Sequence, residues 1–152
     1  MKPKLAAFSE YLQSLKIPIR LSCTTESGWP MVVSLWYLYR EDILMCATQQ
    51  SSRVVAYLKE NPRCGFEIAE DRMPYCGIRG QALASFDQAI GASVLEELLY
   101  RYLGNIKNSL AQNLLSKAET EVAIVLKPVQ IFTWDFSDRM KAVGPKSAKV
   151  CP

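Results

Sequence analysis

Residues 47–66 read "ATQQSSRVVAYLKENPRCGF". An apolar run ends here, a polar bend of two glutamines and two serines follows, and a short helix opens near Arg53 and stops at Asn61-Pro62, where proline cannot continue it. The first turn of a helix carries backbone N–H groups with no intrahelical partner and the positive end of the peptide dipoles. Ser51, Ser52 and Arg53 therefore make a candidate anion site, two hydroxyls and a bidentate guanidinium beside free N–H groups. The same serines also suit plain N-capping with Arg53 solvated, and the residues themselves leave both readings open.

Upstream of this stretch, "IRLSCTT" (19–25) reads as a strand, "ESGWP" (26–30) as a turn and "MVVSLWYLY" (31–39) as a second strand rich in β-branched and aromatic residues. After the polar corner at 40–42, "ILMCAT" (43–48) is a third strand. Connections this short leave no room for a helical crossover, so the strands pair antiparallel. Ahead of them Leu5, Phe8, Leu12 and Leu15 recur at spacings of three and four, the pattern of one amphipathic helix ended by Pro18.

Downstream, "RCGFEIAE" (63–70) and "YCGIRGQALASF" (75–86) add two strands around a turn at 71–74. Gly77 and Gly80 predict a bulge or a tight corner, so the sheet curls. Asp87 is the expected N-cap of a helix with Ile90, Val94, Leu95, Leu98, Leu99 and Tyr102 on one face, closed by Gly104-Asn105. A second helical pattern carries Ile106, Leu110, Leu114 and Leu115. "TEVAIVLKPVQIFTWDF" (120–136) returns to strand character, with Pro128 predicting an edge or a bulge. No repeat, linker or low-complexity run divides the chain. Residues 1–140 read as one α+β domain built on a small antiparallel barrel with flanking helices, and 141–152 as a loose tail.

The composition narrows the chemistry. Eighteen basic against fifteen acidic residues give a formal charge of +3, too small for a nucleic-acid or membrane-surface footprint. With no histidine, a Ser-His or Cys-His couple is excluded, and a haem site or common zinc set loses its usual ligand. The scattered Cys23, Cys46, Cys64, Cys76 and Cys151 read as reduced, mostly core thiols of a cytoplasmic protein, with Cys151 set apart in the tail. A thiol sensor built on Cys151 or Cys46 is a lesser reading. No stretch has signal-peptide character or approaches the ~20 apolar residues of a membrane span. Glu96-Glu97 read as a solvated helix face, because adjacent helical positions point apart.

The run "GWPMVVSLWYLY…ILMCATQQSSRVVAYLKENPRCGFEI…GIRGQALASF" resembles the flavin-binding split barrel of the pyridoxamine 5′-phosphate oxidase-like group. That family has Gly-x-Pro at a hairpin turn, a strand ending in Thr, a Ser-Arg-Lys phosphate motif, a helix closed by Asn-Pro and a later strand glycine. Gly28-Trp29-Pro30, Thr48, Ser52-Arg53, Asn61-Pro62 and Gly80 match in order. The likeness covers residues 17–86, with an echo at "LKPVQIFTWD", where the family often has a proline and then a tryptophan.

The resemblance implies a split barrel with FMN at a homodimer interface. Ser52 and Arg53 would hold the phosphate, with Ser51, Ala47 and Thr48 around it. The backbone of Val33, Ser34, Leu35 and Trp36 would face the isoalloxazine, and Trp134 would lie near it across the interface. No catalytic residue and no metal ligand is assigned; the partners implied are a second copy and a small-molecule redox substrate, not nucleic acid or a membrane. The chain departs from the family at Val54, where the phosphate-binding lysine stands, and at Val33 and Leu38, where the oxidases carry an arginine and a lysine. It also lacks their Arg-Leu-His-Asp-Arg segment, which argues against pyridoxamine phosphate as substrate. These departures favour an alternative, a module that has lost FMN or binds another ligand such as a deazaflavin. Trp29, in the hairpin turn, is expected exposed, with an interface or lid role, and Trp36 is expected in core or dimer packing.

Overall fold

The computed structural model describes residues 4–141 and 151–152. Seven antiparallel strands form one sheet in the order β2-β1-β5-β6-β7-β4-β3. The strands are β1 (Ile19–Thr24), β2 (Pro30–Leu35), β3 (Leu38–Arg40), β4 (Ile43–Gln49), β5 (Arg63–Ala69), β6 (Cys76–Asp87) and β7 (Glu121–Asp135). β2 and β3 are the two edges of this sheet, yet only Trp36 and Tyr37 separate them along the chain. A connection that short brings the edges together, so the sheet curls into a barrel whose seam carries no ladder. The architecture is α+β, a split antiparallel barrel with helices around it.

Alternate residues of each strand point inward, as the two-residue period of a strand requires. Ile19, Leu21, Leu44, Phe66, Ile68, Ile78, Ile124 and Leu126 meet in one core. The helix α2 (Arg53–Glu60) closes one end of the barrel, burying Val54, Val55 and Leu58 in that core. On the outside, α3 (Gly91–Leu103) packs on β4 and β7 through Val94 and Leu98, and α4 (Ser109–Leu115) covers Leu95 and Leu99 with Ala111. At the N-terminus a 3-10 turn, Leu5–Phe8, runs into α1 (Ser9–Ser14), so the expected helix is present but broken, with Leu5 and Leu12 buried.

Several expectations are corrected. The strand read over 31–39 is two strands on opposite edges. Consecutive rings at its middle go to different layers: Trp36 stacks on Tyr102 of α3 (centroids 4.9 Å apart, planes 6° apart), whereas Tyr37 is fully buried in the core. Pro128 lies on a central strand, between β6 and β4, and is tolerated because β7 shifts register there, opposite Gln81 and Ala82. The bulge is therefore not at Gly77 or Gly80. Those glycines admit rings: a Cβ on Gly77 would lie 2.6 Å from the Trp134 indole, and one on Gly80 2.7 Å from Phe66. Strand β6 runs on through Asp87, whose carboxylate accepts from the Ala89 N–H (2.9 Å) in a turn ahead of α3 and does not cap it. Cys76 and Cys151 form a disulfide, so the five cysteines are not all reduced; Cys23, Cys46 and Cys64 are free and buried. The rest of the expected loose tail, 142–150, lies outside the described residues. Among the described residues no helix is long and apolar enough to cross a membrane.

The seam is held by side chains. Arg101 of α3 donates to the carbonyls of Leu12 (2.9 Å), Gln13 (3.0 Å) and Leu15 (2.7 Å) at the end of α1, and its guanidinium lies over the rings of Tyr37 and Tyr102. The Tyr37 hydroxyl donates to Leu12 O (2.8 Å), and that of Tyr102 to Ile17 O (2.8 Å). The bonds to Leu12, Gln13 and Leu15 satisfy carbonyls that the end of a helix leaves open. Substituting Arg101→Met, which keeps the stem and removes the donors, is expected to cost about 2–4 kcal/mol in urea unfolding. A loss below about 0.5 kcal/mol would mean that the rings hold the seam without the guanidinium.

Candidate functional site

The start of α2 holds one of the three buried side-chain polar atoms that lack a hydrogen-bond partner among the described residues, the Ser52 hydroxyl. Leu44 and Cys46 point into the barrel, while Met45 and Ala47 turn toward α3. Thr48 and Gln49 then pair with Val122 and Glu121 of β7. The bend that follows is fixed by its backbone: Gln50 N–H donates to Thr120 O and Ser52 N–H to Gln49 O, both at 2.9 Å. Ser52 takes the N-cap position in extended conformation (φ −67°, ψ 149°), and its carbonyl accepts from the Ala56 N–H at 3.3 Å.

Ser52 nevertheless makes no capping bond. Its hydroxyl is shielded from solvent and has no hydrogen-bond partner among the described residues. A buried hydroxyl left unpaired is costly, so native structures usually satisfy it with protein, water or ligand. Ser51 and Arg53 are exposed on either side, and Arg53 forms no ion pair among the described residues. The helix start thus presents free N–H groups, one open hydroxyl and one uncommitted cation. Plain N-capping, one of the two readings of the sequence, is not what the Ser52 side chain does.

Beside this bend lies a group that the sequence reading missed. Gln49 donates to the Glu121 carboxylate (2.6 Å) and to Lys117 O (3.1 Å), and the Thr120 hydroxyl is bonded to the Gln49 amide oxygen. Glu121 is 5% exposed, and its second carboxylate oxygen has no partner among the described residues. Burial pushes this carboxyl up from its ordinary value, and the Gln49 bond only partly opposes the shift. Strand periodicity over 120–136 could have placed Glu121 at the buried start of β7. Nothing local in the sequence distinguished it from a solvated acid.

The other expected site residues are spread over the molecule. Ala47 and Trp36 come together, both packed against α3. Val33 and Leu35 lean on the barrel core, whereas Ser34 faces outward and accepts from Arg20 (3.2 Å). β2 pairs only with β1, so one side of its backbone is open along Met31 to Leu35. Trp134 lies opposite Gly77, with the Arg79 guanidinium 5.3 Å above its ring. It stands at the far end of β7 from Glu121, up to about 40 Å away at 3.3 Å per residue. Trp134 and Ser52 belong to different elements, β7 and the start of α2.

No protein-family model and no curated protein sequence matches the chain. Solved structures do. An F420 reductase superposes with a TM-score of 0.69 at 18% identity, covering 81% of this chain and 94% of its own. A conserved hypothetical protein of Mycobacterium tuberculosis gives 0.72 at 16% identity, covering 95% and 91%. A putative pyridoxamine 5′-phosphate oxidase of Listeria innocua gives 0.64 at 16% identity, covering 84% and 95%. The fold is the split barrel of the pyridoxamine 5′-phosphate oxidase-like proteins. In this split barrel the candidate site occupies one barrel end, and the open β2 edge is the other surface that the sequence singled out.

Glu121 gives the site a pH signature. Because its folded-state pKa is raised, its contribution to stability is fully present below the unfolded pKa and is lost as pH rises through the folded one. Glu121→Gln should therefore raise the midpoint of denaturant unfolding at pH 7 relative to the native chain, and give no gain near pH 4. Equal effects at both pH values would show that the carboxyl titrates as a solvated one.

Proposed function

We propose that this split barrel binds FMN, with the flavin phosphate at the start of α2 and the ring along the open edge of β2, and that it acts as a cytoplasmic homodimeric oxidoreductase on a small molecule. The buried, unpartnered hydroxyl of Ser52 carries this reading. It lies at the dipole's positive end, beside the free N–H groups of the first turn, where a phosphate oxygen would satisfy it. Arg53 adds the cation. FMN supplies two-electron transfer; the chain's part is to bind and orient it, with β2 offering backbone donors and acceptors to the ring edge.

The proposed dimer draws support from the outward face of the sheet. Trp29 is 74% exposed and Val32 64%, and Leu83, Val129 and Phe132 are each nearly half exposed. Large apolar side chains left open in this number favour a protein partner, and a second copy would bring its own Trp134 and Arg79 toward the open β2 edge.

One observation favours the second reading, another ligand such as a deazaflavin. Val54 stands where the family's phosphate-binding lysine would be and is only 4% exposed, packed into the barrel end. Arg53 is then the single cation on the helix start, and phosphate affinity rests on it. An F420 reductase is among the solved structures that this chain resembles.

Titrating protein stripped of any bound ligand with FMN, riboflavin and F420 separates the readings. FMN should bind more tightly than riboflavin, which has no phosphate. Arg53→Ala should weaken FMN by about 10- to 150-fold, the equivalent of one charge-assisted bond of 1.5–3 kcal/mol, leave riboflavin unchanged and leave the dimer intact in light scattering. Equal affinity for FMN and riboflavin, unaffected by Arg53→Ala, would sink the phosphate assignment; tight binding of F420 alone would establish the second reading.

A further inference from the structure

The β1–β5 ladder contains the pairs Arg20↔Glu67, Leu21↔Phe66 and Ser22↔Gly65 and then stops, although β1 continues to Thr24 and β5 begins at Arg63. The next rung in this register sets Cys23 opposite Cys64. Both side chains belong to the inward-facing core row, at 4% and 7% exposure, and both thiols are free. Where the ladder ends, a cleft of about 670 Å³ opens, and both cysteines line it together with Ser22, Gln81, Leu83 and Val129. Val129 is the residue at the β7 bulge, so two departures from regular pairing meet at the same place.

One rung past the last paired residues, the Cys23 and Cys64 thiols are close enough to act on each other electrostatically. Their positions differ from that of the third free thiol: Cys46, on β4, is fully buried and does not line the cleft. Burial raises the Cys23 thiol and pushes Cys64 to about 11, where the nearness of Cys23 adds to the shift. The Cys64 thiol donates to Ala82 O (3.4 Å), so the pair rests in a protonated, reduced state.

We propose that Cys23 and Cys64 form a dithiol that a small hydroperoxide entering the cleft oxidises to a cross-strand disulfide. In the first step one thiolate attacks the peroxide oxygen, breaking the O–O bond and releasing hydroxide or alkoxide, and becomes a sulfenic acid. The facing thiol then attacks that sulfur, and water leaves with the thiol proton. Two electrons pass from the sulfur pair to the peroxide. This couple is separate from Cys76–Cys151 and independent of any ligand at α2.

The test treats the full-length chain with excess hydrogen peroxide and maps its peptides without reduction. A Cys23–Cys64 cross-linked peptide is expected, formed at a rate that rises about tenfold per pH unit above neutrality, since only the thiolate reacts. Cys64→Ser should stop Cys23 at a sulfenic acid that dimedone traps. Cys46→Ser should leave the cross-link unchanged, and it keeps the test decisive if Cys64→Ser does not fold. The proposal is overturned by a link between Cys46 and either cysteine, by adducts on Cys23 and Cys64 without a cross-link, or by no oxidation at either residue.

Discussion

The rest of the molecule depends on the two-residue connection at Trp36 and Tyr37, which places consecutive strands on opposite edges of one sheet. A ladder across that seam would close the barrel and remove both edges. Here the seam is filled by a tyrosine ring, a stacked tryptophan and the Arg101 guanidinium, which tie α3 to the end of α1. The seam is thereby filled while the backbone of β2 stays unpaired on one side. Stability and the availability of that edge follow from the same substitution of side chains for strand pairing.

Much of this was legible in the sequence, for stated physical reasons. Connections too short for crossovers required antiparallel pairing, and proline after Asn61 set the end of α2 where the structure has it. The break at Trp36-Tyr37 was hidden because β-branched and aromatic residues continue through 31–39 without any breaker. Propensity describes how a residue sits on a pleated surface, not which of two layers will take its ring. Pro128 was read as an edge or a bulge from its missing N–H, and the structure has the bulge, on the central strand β7. Pairing of Cys76 with Cys151 across 75 positions was beyond any local pattern.

The candidate site shows the same division. Ser51, Ser52 and Arg53 were visible because the first turn of a helix has fixed electrostatics whatever the fold around it. That the Ser52 hydroxyl is buried and open, and that Glu121 lies unsatisfied on the strand paired with β4, depends on how distant elements assemble, which only the barrel defines.

Helical geometry then limits what the site can hold. Successive helical residues turn by about 100° around the axis, so Arg53 and Val54 point different ways. In this chain Val54 is committed to the barrel end, with Val55 and Leu58, while Arg53 is left in solvent. A lysine at 54 would have to leave the core and uncover apolar surface, or bury its stem and carry the ammonium out past Ser52. Closing the barrel with valine favours packing over anion affinity, and it leaves recognition of a phosphate to one serine, one arginine and the backbone of the first turn.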